Sequence, residues 1–223
     1  QMHKLSMIKE KMDSSYVKQF SIEQLPEFCN QIREKLIEIV SRTGGHIGVN
    51  LGVVELTVAL HYTFDFPDDS LFWDVGHQIY VHKMLTGRLK KLETNRQNEG
   101  SPGYSFHKES IYDKVTSSHA GASLSLGLGS AIGNQILKNN LYTISVIGDG
   151  SLVEGSSQEA LNHIAVENCK MLIILNDNER AIEENFGGLH EYLKKRQIGV
   201  EKQETYFSSL EIPYYGPIDG HNV

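Results

Sequence analysis

What this chain lacks narrows it first. Nowhere in its 223 residues does an apolar run reach the about eighteen residues that a membrane-spanning helix needs, and the lysine-containing N-terminus has no apolar core of the kind a secretory signal carries. Basic excess is missing too: 21 Lys and Arg against 28 Asp and Glu give a formal charge of −7 and a pI near 5.8, which argues against nucleic acid or an anionic membrane surface as the main partner. Cysteine is scarce. Cys29 and Cys169 sit in no metal-binding or redox spacing and read as packing residues or exposed thiols. What remains, 39% hydrophobic and 22% charged, is an ordinary soluble composition, enough for one large domain or two small ones, and the expected compartment is the cytoplasm.

What is present is organised around the stretch from Gly148 to Asn178. Tyr142–Ile147 alternates and is β-branched, so it reads as a strand, and Gly148-Asp149-Gly150 predicts a tight turn after it. A helix is expected over roughly 156–166. Met171–Leu175 is a continuous apolar run, the pattern of a strand buried on both faces of a parallel sheet, and it empties into Asn176-Asp177-Asn178. Parallel strands joined by a right-handed crossover deliver their C-terminal ends to one sheet edge, which brings Asp149 and Asn178 together. A carboxylate and a carboxamide are hard oxygen donors suited to magnesium or calcium. One carboxylate is too little charge to hold such an ion alone, so water, a backbone carbonyl and the oxygens of a phosphorylated ligand would complete its shell. Read singly, the same residues are a plain turn and a polar loop.

The rest of the chain supplies neighbours for this stretch. Residues 1–20 are a polar, irregular extension. Ser21 and Gln24 have capping-box spacing, and the helix that follows to about Val40 carries Leu25, Phe28, Ile32, Leu36 and Ile39 on one stripe. Gly44-Gly45-His46-Ile47-Gly48 breaks the period before a second helix expected from Gly52 to about Tyr62. Leu71–Asp74 reads as a buried strand ending in Gly76-His77, with a helix through Gln78–Leu85 whose His82 and Lys83 read as structural or substrate-adjacent rather than catalytic. Tyr104-Ser105-Phe106-His107 lies in a loop region that can cover a ligand. His46, His77 and His221 each follow a glycine and His119 follows a serine pair, open settings in which an imidazole can approach a ligand. Ser117–Ser123 opens a helix of small residues whose free N-terminal amides suit an anion. The glycines of Gly127–Gly133 lie inside that helix and ahead of a strand, the wrong order for a dinucleotide fingerprint. A last strand is expected over about 212–215.

Gly-Asp-Gly followed about thirty residues later by a loop ending in Asn resembles the thiamine diphosphate motif. Four further segments resemble the N-terminal, diphosphate-binding domain of the 1-deoxy-D-xylulose-5-phosphate synthases, relatives of transketolase: Val40–Leu60, Leu71–Arg88, Glu159–His163 and Tyr215–His221. The resemblance runs from about Ile22 onward. It implies an α/β three-layer sandwich with a mainly parallel central sheet flanked by helices, spanning 21–223, the pyrimidine-binding and C-terminal domains being absent. It implies thiamine diphosphate and Mg2+ as cofactors, the metal held by Asp149, Asn178 and the backbone carbonyl of Arg180. His46, His77, His119, Ala120, Gly121, Gly148, Gly150 and Ser151 would join Asp149 and Asn178 in holding the cofactor, with His46 and His77 also catalytic. The implied transferase reaction condenses pyruvate with glyceraldehyde 3-phosphate, releasing CO2, in isoprenoid, thiamine and pyridoxal precursor synthesis. Implied partners are a homodimer mate and a pyrimidine-binding domain, whose glutamate is matched by nothing here. Departures are Ser-His-Ala-Gly at 118–121, where the family has Gly-His-Ser-Ser, and Arg180, Ala181 and Glu183, where it favours methionine and serines. Two other readings stay open: the small subunit of a split transketolase-like enzyme, and a non-catalytic relative, for which the departures at Ala120, Gly121 and Arg180 leave room.

Overall fold

The apolar stripe of residues 25–39 does what its spacing predicts: Leu25, Phe28, Ile32, Leu36 and Ile39 are all buried on helix α1, Leu25–Thr43. The computed structural model describes residues 6–178, 186–197 and 205–223, and the chain divides into two compact units. A helical unit comprises 1–69, 76–118 and 220–223; a sheet unit comprises 70–75 and 119–219.

In the helical unit α1 starts behind the expected capping box, with the Ser21 amide donating to Gln24 Oε1 at 2.9 Å. It packs on α3, Val54–Thr63, and on α4, Tyr80–Lys83. Between α1 and α3 lies a short α2, Ile47–Leu51, in the glycine-flanked segment that reads from sequence as a break. Beyond α4 the chain passes through a π-type turn over Met84–Arg88 into α5, Leu89–Leu92. Cys29 is a packing residue of α1, and burial, with the charge of Glu55, pushes its thiol up to about 12. His82 and Lys83 are structural here. Lys83 Nζ donates to Ser101 Oγ at 2.9 Å, Pro102 O at 2.7 Å and Glu109 Oε2 at 2.7 Å. Arg88 Nη1 reaches Glu109 Oε2 at 3.1 Å and Asp113 Oδ2 at 2.8 Å. Burial alone would raise the Asp113 pKa, but His82 and Arg88 beside it hold the carboxyl well below the usual carboxylate range.

The sheet unit is built on three parallel strands among the described residues, in the order β1-β2-β3: Ser70–Trp73, Thr143–Gly148 and Met171–Asn176. Helix α6, Ser123–Ile136, packs on the sheet, and Gly127 permits the contact because a Cβ there would lie 2.2 Å from Ser145 Oγ. A short α7, Asp149–Leu152, and α8, Gly155–Ile164, make the crossover between β2 and β3, and α9 spans Gly188–Gln197. Leu124, Ile147, Leu152, Ala160, Leu161, Leu193 and Phe207 form the core of this unit. The expected strand over 212–215 does not form. Glu211 turns left-handed at φ 61°, and the segment is held by side chains instead, Tyr214 stacking on Phe207 with centroids 5.6 Å apart. Among the described residues no helix is long and apolar enough to cross a membrane.

Candidate functional site

Three parallel strands end at one edge of the sheet unit, and each end carries a polar group. The β2–β3 register sets Gly148 opposite Asn176, so Asp149 follows one strand end directly and Asn178 lies two residues past the other. Asp149 is buried at 4% exposure, whereas Asn178 is exposed. The tight glycine turn expected after β2 is replaced by a direct passage into α7: Gly148 has φ −81°, and neither it nor Gly150 is among the residues of positive φ. Left-handed backbone is used at Gly121 instead, at φ +78°, where a Cβ would stand 2.5 Å from Ser156 Oγ and 2.8 Å from Glu154 Cβ. The position at which the family's pattern has a serine is thus one that this backbone reserves for glycine.

Asp74, one residue past β1, is the group that sequence reading missed. Its Oδ1 accepts the Gly121 amide and its Oδ2 the Ser123 amide, both at 2.9 Å, and it is only 2% exposed. The carboxylate therefore caps α6, and two amides expected to meet a diphosphate are already engaged. Ser156 Oγ, from the start of α8, donates to Gly121 O at 3.0 Å, and Ser157 Oγ donates to Ser151 O at 2.7 Å. The structure thus brings Gly121, Gly148–Ser151 and the approach to Asn178 into one frame within the sheet unit. His119 and Ala120 are exposed beside Gly121. Arg180 lies outside the described residues.

In the helical unit His46 and His77 meet edge to face, ring centroids 5.6 Å apart and planes at 79°, and Tyr104 lies 5.8 Å from His46. Sequence reading had Tyr104 only as part of a covering loop. A glycine of positive φ precedes each histidine: a Cβ on Gly45 would be 2.7 Å from Tyr80 Oη, and one on Gly76 2.9 Å from the Ser105 amide. Burial, reinforced by the positive charge of Arg96, lowers the His46 pKa and keeps the ring neutral at neutral pH. Its Nδ1 is buried without a hydrogen-bond partner among the described residues. A neutral imidazole of this kind can take up or share a proton. His221 Nδ1 lies 3.5 Å from Glu55 Oε2, a carboxylate that also pairs with Arg33.

The donor set tests what cation the strand ends could hold. Among the described residues no group of three or more His, Cys, Asp or Glu could hold a metal. Asp149 and Asn178 offer hard oxygens and one buried negative charge, which fits a divalent cation that shares its shell with a bound diphosphate.

The fold has counterparts among solved proteins. A transketolase from Leishmania mexicana matches 73% of this chain and 28% of its own at a TM-score of 0.63 and 23% identity. A transketolase variant from Pichia stipitis does so over the same shares at 0.62 and 22%. The fold class is transketolase-like α/β. The profile of 1-deoxy-D-xylulose-5-phosphate synthase matches residues 5–203, and the chain belongs to that family. The synthase of Listeria monocytogenes is 45% identical over 98% of this chain, and that of Buchnera aphidicola 44% identical over 91%. The chain spans 37% and 35% of the lengths of these two relatives.

Proposed function

We propose that this chain is the diphosphate- and Mg2+-binding part of a 1-deoxy-D-xylulose-5-phosphate synthase. Family membership supports the reading, and the observation that carries it is the β2–β3 register, which sets Asp149 and Asn178 beyond one sheet edge. In this reading the sheet unit anchors the cofactor. Asp149 and Asn178, with the Arg180 carbonyl, hold the metal; Gly148, Gly150 and Ser151, with His119, Ala120 and Gly121, face the diphosphate. Because Asp74 engages the Gly121 amide, the segment from 119 to 121 contributes chiefly through His119 and the shape of its backbone. Thiamine diphosphate, when bound, supplies the carbon nucleophile that decarboxylation of pyruvate and transfer of its two-carbon unit to glyceraldehyde 3-phosphate require.

The helical unit contributes the imidazole pair. His46, neutral through burial, holds or moves a proton at its unpartnered Nδ1, and His77 orients substrate beside it. Tyr104 limits water around His46. A pyrimidine-binding domain, in the same protein or another, completes the catalytic set, and the assembly is a cytoplasmic homodimer. Titrating Mg2+ and thiamine diphosphate into the chain and into Asp149→Ala tests the anchor. Loss of the buried carboxylate should weaken binding by about 100-fold, and equal binding by both proteins would sink the proposal.

A further inference from the structure

Asn50 lies on α2 and is fully buried, and its carboxamide makes three hydrogen bonds. Its Nδ2 donates to the backbone carbonyl of His46 at 2.7 Å and to that of His77 at 2.8 Å, and its Oδ1 accepts the Tyr80 amide at 2.9 Å. These bonds join three segments of the helical unit: the turn before α2, the turn after Gly76, and the first residue of α4. Only a carboxamide offers two N–H donors and an acceptor without carrying charge, and glutamine would need room for one more methylene.

We propose that Asn50 is a positioning residue that sets the separation and angle of the His46 and His77 rings. The inference rests on the reading of these imidazoles as the reaction-side pair. Fixing both carbonyls with one rigid amide fixes the two backbone points from which the rings project, and the rings then meet at 5.6 Å and 79°. Tyr80 strengthens the bracket from the other side, its backbone held by Asn50 and its hydroxyl accepting the His46 amide at 3.4 Å. The Asn50 amide thus bonds both the 46 and the 77 backbones. Asn50 touches neither imidazole through a hydrogen bond, so its effect on chemistry passes through the geometry of the pair. Asn50→Asp keeps the volume and the acceptor for Tyr80 but turns an oxygen toward two carbonyls, which pushes the two turns apart.

The test is a mutant cycle in the turnover-competent protein that contains this chain, with Asn50→Asp, the milder Asn50→Ser, His46→Ala and His77→Ala, and Asn50→Asp combined with His46→Ala. A displacement of order one ångström in the pair should lower kcat by about 30- to 100-fold in Asn50→Asp and by about 10-fold in Asn50→Ser. Affinity for thiamine diphosphate with Mg2+ should stay within about threefold, because the proposed anchor lies on other residues. In the His46→Ala background Asn50→Asp should cost less than about threefold more, since the group it positions is gone. A kcat within about threefold of wild type in Asn50→Ser, or a full multiplicative loss in the His46→Ala background, would overturn the inference and leave Asn50 a structural residue. Should Asn50→Asp not fold, Asn50→Ser alone and combined with His46→Ala gives the same decision. Unchanged kcat in His46→Ala and in His77→Ala would instead refute the imidazole-pair reading itself, whatever Asn50 does.

Discussion

Replacing Asp74 with alanine removes a cap that joins the end of β1 to the start of α6. Its two oxygens each take one amide at 2.9 Å, and Asp74 and Ser123 are both only 2% exposed. Loss of an exposed aspartate cap costs about 0.5–2 kcal/mol. Here two buried amides lose a charged acceptor together, and hydrogen bonds to charged groups are worth about 1.5–3 kcal/mol each. Part of that sum is returned, because the variant no longer buries a carboxylate. We therefore expect Asp74→Ala to lose about 3 kcal/mol, and Asp74→Asn about 2 kcal/mol, since one side of the amide must face a donor with another donor. For a chain of this size, 3 kcal/mol corresponds to a drop in Tm of about 6–12 °C. Urea unfolding followed by circular dichroism, with the midpoint shift read at a common slope, measures both. A loss under about 1 kcal/mol in Asp74→Ala would show that water replaces the carboxylate at little cost, and the cap would have to be abandoned as a source of stability.

Two further outcomes follow from particular contacts. Gly121→Ser, which restores the family's residue, should cost about 2–3 kcal/mol, since a Cβ at φ +78° meets Ser156 Oγ at 2.5 Å; a thermal melt no lower than wild type would contradict it. Acid should also destabilise the helical unit through His61 and His82, whose rings lie 2.9 Å apart, Nε2 to Nδ1, and are fully buried. Burial, then for His61 the neighbouring His82, lowers both pKa values below the usual 6.5, so the unfolded chain binds more protons than the folded one below that pH. Stability should therefore fall as pH drops below about 6.5, by at most about 1.4 kcal/mol per unit for each histidine. Urea unfolding at pH 7, 6 and 5 should show a shallower loss in His61→Phe, and an identical loss would place the sensitivity elsewhere.

Much was legible in residue order. The stripe of α1, the capping box ahead of it, the β-branched run of β2 and the apolar run of β3 are short-range patterns, and each element formed within a few residues of its expected bounds. The crossover between β2 and β3 placed Asp149 and Asn178 past one edge because parallel strands have a fixed sense. The motif of Gly148–Asn178, with the segments Val40–Leu60, Leu71–Arg88, Glu159–His163 and Tyr215–His221, pointed to the family whose profile matches residues 5–203.

Tertiary structure decided what those motifs are attached to. The amides at the start of α6 read as open to an anion until Asp74, 47 residues before Gly121, takes them. Nothing in the sequence around Asn50 marks it, yet its amide spans 27 residues to His77 and 30 to Tyr80. The residues at 212–215 have the composition of a strand, and packing of Tyr214 on Phe207 leaves them outside the sheet. Periodicity reports which face of an element is apolar, because burial acts on every residue of that face. A hydrogen bond between distant residues leaves no such repeat, so its partner becomes known only when the chain has folded the two together.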